Sequence, residues 1–417
     1  MHALDKVESV APPTTTPRAW LARQPILDRL GGTYAYELLF RSGAANRAIF
    51  TDGSQAAAQT MMTAFAEMEL GDVVGRAKAF FNVTRDVLLS PGIEALPKHR
   101  VVLEVLETVH IDDALVGRMR ELRDAGFHLA IDDFGMREEL WSLVELADIV
   151  KVDVLALDDD ALEETTRRLK ATGVRLLAEK VETRAQHQRV LALGYDYFQG
   201  YFFQVPEMLS ATRLPQTRME TMQLMAKVRR EDTPLSELER LISADASLSY
   251  RLLRLLASAA YARSHKIDSV HRAIVMLGRQ KLAQWVTLLA LAGLDDQPPA
   301  LLATAVLRAR MCELLGKKIG RHDPATFYSA GLFSLLDVMM GRPMKELLDH
   351  MPISSELEAA LLKRKGTVGA TLRAVADYEQ GEWRAIDLVR LPPEDFADAY
   401  FAAVRWSAEV MRELGLA

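Results

Sequence analysis

Seven short apolar runs in the first half of the chain each end in a polar residue able to bind a metal ion or a phosphate. Most gaps between these residues suit one helix with its loops, so the pattern indicates alternating strands and helices. Buried strands joined by helices close into a β/α barrel, and its site forms at the C-terminal strand ends. The polar residues at these ends are Glu37, Asn82, Glu104, Asp132, Asp133, Lys151, Asp153, Glu179, Glu182 and Gln199. The sequence therefore predicts an α/β TIM-like barrel with an oxygen-rich mouth suited to a hard divalent cation.

These polar residues have a second interpretation as caps of the helices that follow the strands. Asp and Asn commonly accept hydrogen bonds from the first N–H groups of a helix. A single polar residue after a strand is most often such a cap. Six strand ends that all carry acids, amides or a lysine indicate instead a functional site, present or ancestral.

Longer motifs surround the strand ends, in order and with barrel spacing between them. They read Gln24-Pro25-Ile26, Glu37-Leu38-Leu39-Phe40-Arg41, Glu104-Val105-Leu106-Glu107, Asp132-Asp133-Phe134-Gly135, Lys151-Val152-Asp153, Ala178-Glu179-Lys180-Val181-Glu182 and Gln199-Gly200-Tyr201. Through these motifs, residues 18–208 resemble the EAL family of cyclic di-GMP phosphodiesterases. Within that family the chain is most similar to the branch in which a divergent EAL domain is fused to an HDOD domain.

The resemblance implies roles for the strand-end residues in hydrolysis assisted by two Mg²⁺ or Mn²⁺ ions. It implies metal ligation by Glu37, Asn82, Glu104, Asp132, Asp133 and Glu182, with Asp132 bridging the two ions. Lys151 would orient the nucleophilic water, and Glu179 would be the general base. The nucleotide would be bound by Gln24, Arg41, Asp153, Gln199 and Pro206. Glu107 would brace the loop after the fifth strand.

Two segments depart from the enzymes of the family. Residues 136–141 replace Thr-Gly-Tyr-Ser-Ser-Leu, and Arg137 stands at the glycine of that loop. Lys180 replaces the glycine of Ala-Glu-Gly-Val-Glu, where a cation would compete with a metal ion, point away or bind phosphate. We therefore expect a degenerate EAL domain that senses cyclic di-GMP or only scaffolds. The alternatives are an active metal-dependent phosphodiesterase that yields pGpG, and a barrel that serves as structure only.

The second half of the chain has helical apolar periodicity almost throughout. The predicted all-α domain, residues 209–417, resembles the HDOD module, a helical relative of HD phosphohydrolases. Ser334 and Leu335 stand where an HD enzyme has its metal-binding His-Asp pair, and His322-Asp323 precedes Pro324 at a predicted helix start. We therefore expect no cofactor in this domain and a role in docking a protein partner.

The composition bounds the remaining function classes. A net charge of −6 argues against a nucleic-acid partner. The single cysteine, Cys312, fits a reducing cytoplasm, and the absence of an 18-residue apolar run excludes a membrane-spanning helix. Residues 1–17 are predicted to form a disordered tail. We expect a cytoplasmic bacterial signalling protein, and a homodimer is left open.

Overall fold

The structure is a computed structural model that describes residues 19–42, 70–134, 138–204, 216–230, 232–257, 269–294, 297–320, 323–382 and 388–416. The predicted tail over residues 1–17 lies outside this part of the chain. Side chains at a few positions inside these ranges, among them that of Arg41, are outside the description as well.

Eight strands close into a barrel in chain order. They are β1 (Ala19–Asp28), β2 (Thr33–Ser42), β3 (Lys78–Val83), β4 (Val101–Val105), β5 (His128–Ile131), β6 (Ile149–Asp153), β7 (Arg175–Glu179) and β8 (Tyr197–Phe198). β1 runs antiparallel to both of its neighbours, β2 and β8. The strand pairs from β2 to β8 are parallel. The predicted TIM-like barrel is therefore confirmed, with one reversed strand.

A layer of apolar side chains fills the inside of the barrel. Its members are Ile26, Ala35, Phe80, Val102, Ala130, Ile149, Leu177 and Tyr197. Successive side chains of a strand point to opposite faces, so the residue two positions along a strand faces the barrel interior again. Two positions beyond the layer, toward the mouth, the residues are Gln24, Glu37, Asn82, Glu104, Asp132, Lys151, Glu179 and Gln199. The period of two thus stacks the polar residues of the site directly on an apolar floor.

The helices around the barrel are α1 (Leu70–Val74), α2 (Arg85–Leu89), α3 (Asp113–Asp124), α4 (Trp141–Val144), α5 (Asp159–Ala171) and α6 (Arg184–Leu193). Their caps are separate from the strand-end residues. Asp112 accepts from Leu115 N–H at the start of α3, and Asp158 accepts from Ala161 N–H at the start of α5. Thr183 caps α6 in the same way. Helix capping therefore does not account for the carboxylates at the barrel mouth.

The second half is all-helical over the described residues, as the sequence predicts. Its helices are α7 (Gln216–Arg229), α8 (Leu235–Ala244), α9 (Ala246–Ala257), α10 (Val270–Leu291), α11 (Pro299–Lys318), α12 (Pro324–Phe333), α13 (Leu336–Met340), α14 (Met344–Asp349), α15 (Ser355–Lys363), α16 (Gly366–Glu379) and α17 (Pro393–Leu414). Gly278 breaks α10 with a φ of 68°. None of the described helices is long and apolar enough to cross a lipid bilayer.

Strand β1 connects the two halves. Its residue Arg23 donates its backbone N–H to the Tyr400 hydroxyl of α17 over 3.0 Å. The Tyr378 hydroxyl of α16 donates to the Leu21 carbonyl over 3.3 Å. Both tyrosines are buried, so these bonds form away from bulk water. The strand that carries Gln24 into the barrel mouth is therefore held by the helical domain.

Candidate active site at the barrel mouth

The ammonium group of Lys151 stands at the centre of the barrel mouth. Its Nζ lies 2.9 Å from Glu179 Oε1, 3.2 Å from Asp132 Oδ1 and 3.4 Å from Glu37 Oε2. It also contacts Glu104 Oε1. Lys151 and Glu104 are fully buried. Four carboxylates from the ends of four strands thus converge on one cation.

Side-chain amides complete the wall on the Glu37 side. Asn82 Nδ2 donates to Glu37 Oε1 over 2.9 Å, and Gln199 Nε2 donates to Glu37 Oε2 over 2.6 Å. Gln199 Nε2 also lies 3.0 Å from Gln24 Oε1. Gln24 in turn donates to the Tyr201 hydroxyl over 3.1 Å. These bonds fix both oxygens of Glu37 before any ligand binds.

The charges in this cluster are unbalanced, and the pKa values reflect it. Burial raises the pKa of Glu104 well above its usual value, and the nearby Glu37 charge raises it further. Burial also raises the pKa of Glu179 to about 8. Burial alone would raise the pKa of Asp132, but Lys151 and the hydrogen bonds from Glu104 and the Asp133 N–H together hold that pKa below its usual value. One ammonium is thus too little positive charge for four carboxylates, and an added cation would be stabilised here.

Three buried oxygens in the mouth make no hydrogen bond. They are Asn82 Oδ1, Glu104 Oε2 and Gln199 Oε1. A buried acceptor without a partner is costly, and hard divalent cations take carboxylate and amide oxygens as ligands. Among the described residues, no three Asp, Glu, His or Cys side chains already surround a metal position. We attribute this to Lys151, because its Nζ occupies the point that the carboxylates share. These oxygen ligands fit Mg²⁺ or Mn²⁺ once the Lys151 ammonium gives up some of its contacts with the carboxylates.

Lys180 and Asp153 form the opposite rim of the mouth. Lys180 Nζ bonds to Asp153 Oδ2, and this bond raises the pKa of Lys180. Asp153 Oδ1 accepts from Leu155 N–H over 2.8 Å and from Ala156 N–H over 3.2 Å. Both carboxylate oxygens of Asp153 therefore already accept hydrogen bonds. Of the orientations open to Lys180 from the sequence, the structure has it paired with Asp153 at the rim.

Two rim residues adopt left-handed backbone conformations. Lys180 has a φ of 56° and Asp133 a φ of 40°. Such angles are costly for residues with a Cβ and concentrate at functional sites. Asp133 also donates its backbone N–H to Asp132 Oδ1 over 2.9 Å. The glycine that the EAL motif has at Lys180 would adopt this conformation without strain.

The other predicted site residues lie farther out or outside the described chain. Glu182 is exposed just beyond β7, and Glu107 is half-buried beyond β4. Arg41 is placed only by its backbone, which pairs with Trp20. Pro206, Met136 and Arg137 lie outside the described residues.

The loop after β5 is anchored where the structure describes it again. Trp141 packs edge-on against Phe134, with ring centres 5.1 Å apart. The Arg168 guanidinium lies 4.0 Å from the centre of the Trp141 ring. The large residue that departs from the family pattern therefore has a packing role beside the Asp133 rim.

Sequence reasoning gave no role to Tyr201, although its motif was visible. Gly200 turns the chain so that Tyr201 reaches Gln24, because Gly200 has a φ of 146° and a Cβ there would lie 2.1 Å from the Val181 carbonyl oxygen. No side chain fits at that distance. In the sequence, Gly200 beside Gln199 was the one sign that the chain turns sharply here and brings Tyr201 to the site.

Gly200→Ala should therefore lower the free energy of unfolding by more than about 3 kcal/mol, the upper end for backbone strain, because the clash adds to it. Urea denaturation of the whole chain measures the loss. Gly117→Ala is the control, since nothing lies within 4 Å of its added Cβ and alanine favours the α3 helix. A loss in Gly200→Ala no larger than in the control would contradict this account.

The two residues at the His-Asp positions of HD enzymes, Ser334 and Leu335, have packing and hydrogen-bonding roles here. Ser334 ends α12 and accepts from Arg308 over 3.4 Å, while Leu335 is buried. Asp323 caps α12 through the Ala325 N–H. His322 lies outside the described residues.

A barrel with one reversed strand and a mouth of carboxylates, amides and a lysine, joined to a helical domain, defines an EAL-type barrel fused to an HDOD-type domain. The EAL domain model matches residues 21–206, and the HDOD domain model matches residues 214–356. The chain belongs to this two-domain EAL–HDOD family.

Relatives span nearly the whole chain. The uncharacterized protein YuxH of Bacillus subtilis is 30% identical over 94% of this chain and 99% of its own length. The cyclic di-GMP phosphodiesterase CdgJ of Vibrio cholerae is 30% identical over 94% of this chain and 93% of its own. A manganese and cyclic di-GMP complex of Klebsiella pneumoniae BlrP1 is 24% identical and has a TM-score of 0.39, covering 46% of this chain and 56% of that chain.

Proposed function

We propose that this protein is a cyclic di-GMP signalling protein whose barrel binds the nucleotide together with a divalent cation and hydrolyses it slowly or not at all. The HDOD domain then docks a protein partner. The boundaries we propose are 18–208 for the barrel and 209–417 for the helical domain. The observation that carries the proposal is the set of three orphaned oxygens beside four carboxylates, because it describes a cation site.

The cation would be held by Glu37, Asn82, Glu104 and Asp132, with Gln199 beside it. When bound, it would neutralise phosphate charge and lower the pKa of a bound water. The chain's own residues would do the rest. Lys151 would donate to the attacking water, and Glu179, whose Oε1 lies 2.9 Å from Lys151 Nζ, would accept its proton. Gln24 and Gln199 would orient the ligand.

The rim formed by Lys180 and Asp153, opposite the proposed cation ligands, supports slow hydrolysis. The bond to Asp153 holds the Lys180 ammonium near Asp133, the residue beside which the resemblance places the second cation. The ammonium and a second cation would repel each other, and the exposure of Lys180 limits the size of this repulsion. We propose that the rim therefore favours one cation over two, and that binding survives better than turnover.

An active phosphodiesterase is the second candidate. CdgJ, which shares the whole architecture, carries that name. Lys151 and Glu179 lie 2.9 Å apart, a distance at which both could act on one water. Incubating the purified protein with cyclic di-GMP and Mn²⁺ and following pGpG by chromatography separates the two. Multiple turnovers per minute that disappear in Glu37→Ala would establish the enzyme and overturn the sensor.

Glu37→Gln should weaken Mn²⁺ binding at least tenfold, equivalent to about 1.4 kcal/mol. Glu37 is buried, and both of its oxygens are positioned by amides, so removing its charge changes the site without opening it. Calorimetry with Mn²⁺ alone, and then with cyclic di-GMP, gives both affinities.

The matched control is Glu145→Gln, which removes an exposed carboxylate from the segment before the N-terminal end of β6, whereas the mouth lies at the C-terminal strand ends. Its Mn²⁺ affinity should match the unmodified protein. Glu182→Gln tests the predicted ligand role of Glu182 directly. Equal losses in Glu37→Gln and Glu145→Gln would show that Mn²⁺ binds diffusely and would remove the proposed site.

A further inference from the structure

The helical domain contains a second cavity, far along the chain from the barrel residues that form the mouth. It has a volume of about 340 Å³ and lies where the end of α7 meets α10, the start of α12 and the segment before α15. That volume is within the range of small-molecule sites. Val228, Ile353 and Leu357 give the cavity apolar walls.

Arg229 brings an incompletely satisfied cation to this cavity. Its Nη1 donates to Ser329 Oγ over 3.3 Å, but its buried Nε has no hydrogen-bond acceptor. The guanidinium lies 5.0 Å from the Phe333 ring centre. Within the described ranges no carboxylate forms an ion pair with Arg229. Asp323 is close enough to interact with the Arg229 charge but forms no ion pair with it. A partly buried guanidinium without a direct ion pair is costly, so an anion here would be stabilised.

A second arginine adds to the positive charge. Arg279 donates to the Arg230 carbonyl oxygen over 2.8 Å and also bonds to the Thr233 carbonyl oxygen. Asp232 also interacts with the Arg279 charge, but Asp232 is already paired with Arg230, so the local charge stays positive.

One acid, Asp323, belongs to the lining, but its oxygens are already used. Oδ1 accepts from Ala325 N–H and Gln280 Nε2, each over 3.2 Å, and Oδ2 accepts from the Thr326 hydroxyl over 2.6 Å. Asp323 thus uses both of its oxygens in hydrogen bonds, and it caps the start of α12. Two guanidinium groups against one engaged carboxylate leave the cavity net positive.

We propose that this cavity binds a small organic anion, with a phosphate or carboxylate group on Arg229 and an apolar body against Ile353 and Leu357. The planar guanidinium suits both anions. Ser329 and Gln280 supply further polar contacts in the lining. The site depends on helical-domain residues alone, so it stands whether or not the barrel binds a nucleotide.

The test uses the full chain and calorimetry with four probes: phenyl phosphate, benzoate, inorganic phosphate and benzyl alcohol. We expect binding of phenyl phosphate or benzoate, weaker binding of inorganic phosphate and none of benzyl alcohol. Preference between the first two probes identifies the anionic group. No binding of either at millimolar concentration overturns the proposal, and so does equal binding of benzyl alcohol.

Arg229→Gln should lower the affinity for the better probe at least tenfold, and Arg229→Lys should recover part of it. Arg230→Gln is the matched control, because the neighbouring Arg230 is exposed and paired with Asp232. Circular dichroism checks that each variant is folded. If Arg229→Gln does not fold, Arg279→Gln carries the test. Unchanged affinity in the folded Arg229 variant overturns the proposal.

Discussion

Lys151→Met should lower the free energy of unfolding by about 3–5 kcal/mol, the usual cost of removing one partner from a buried ion pair. Lys151 is the cation to which Glu37, Glu104, Asp132 and Glu179 all turn. Burial would lower the pKa of Lys151, yet these carboxylates hold it well above its usual value. Without the ammonium, the acids repel one another in a buried site. Protonation of Glu104 limits the loss, so the barrel should still fold.

Manganese should restore much of this loss, because a divalent cation can take the position of the missing ammonium. Binding to the folded state alone adds about 2.7 kcal/mol when the ion is at 100 times its Kd. The measurement is urea denaturation of both proteins with and without Mn²⁺. We expect a larger stabilisation by Mn²⁺ in Lys151→Met than in the unmodified protein.

Lys170→Met is the control for this pair of measurements. Lys170 is exposed on α5 and donates to the Leu193 carbonyl oxygen. Its replacement should cost less than about 1 kcal/mol and leave the Mn²⁺ response unchanged. A loss in Lys151→Met as small as in this control, or a Mn²⁺ response that does not differ, would refute the account of a charge-deficient mouth.

The positions of the site residues could be predicted because a strand has a period of two. On the parallel strands, each polar residue of the mouth lies two positions after an apolar residue that faces the barrel interior, as Glu104 follows Val102 and Glu179 follows Leu177. The sequence shows both members of each pair. The reversed direction of β1 could not be seen in this way, because a period of two reads the same from either end.

The partners of the charged residues could not be predicted from the sequence. Lys151 was expected to orient a water, but whether its ammonium contacts one acid or four depends on the closure of eight strands. Lys180 was visible as a replaced glycine, yet its orientation depends on a φ of 56° that the sequence does not state. Likewise, the contact of β1 with Tyr378 and Tyr400 joins residues more than 350 positions apart. Such contacts come from tertiary packing and not from local pattern.

Lys180→Gly should raise the turnover of cyclic di-GMP at least tenfold, or about 1.4 kcal/mol of activation free energy. The change removes the positive charge beside Asp133 and frees one oxygen of Asp153. It also relieves the left-handed backbone, which costs a residue with a Cβ roughly 1–2 kcal/mol. Relief of the strain stabilises the folded state. The lost ion pair offsets that stabilisation by at most about 1 kcal/mol, because Lys180 is more than half exposed. Removal of the ammonium and release of the Asp153 oxygen both favour a second cation at the rim.

Lys180→Ala separates the effect of the charge from that of the backbone strain, since alanine removes the ammonium but keeps the Cβ and its strain. If charge limits turnover, the alanine and glycine variants should produce pGpG at similar raised rates in the presence of Mn²⁺. If backbone geometry limits it, only the glycine variant should gain. Lys170→Ala is the control for an exposed lysine elsewhere on the barrel. Rates in both Lys180 variants equal to the unmodified protein would mean that the rim does not restrain hydrolysis, and the cause would then lie in the loop after Asp133.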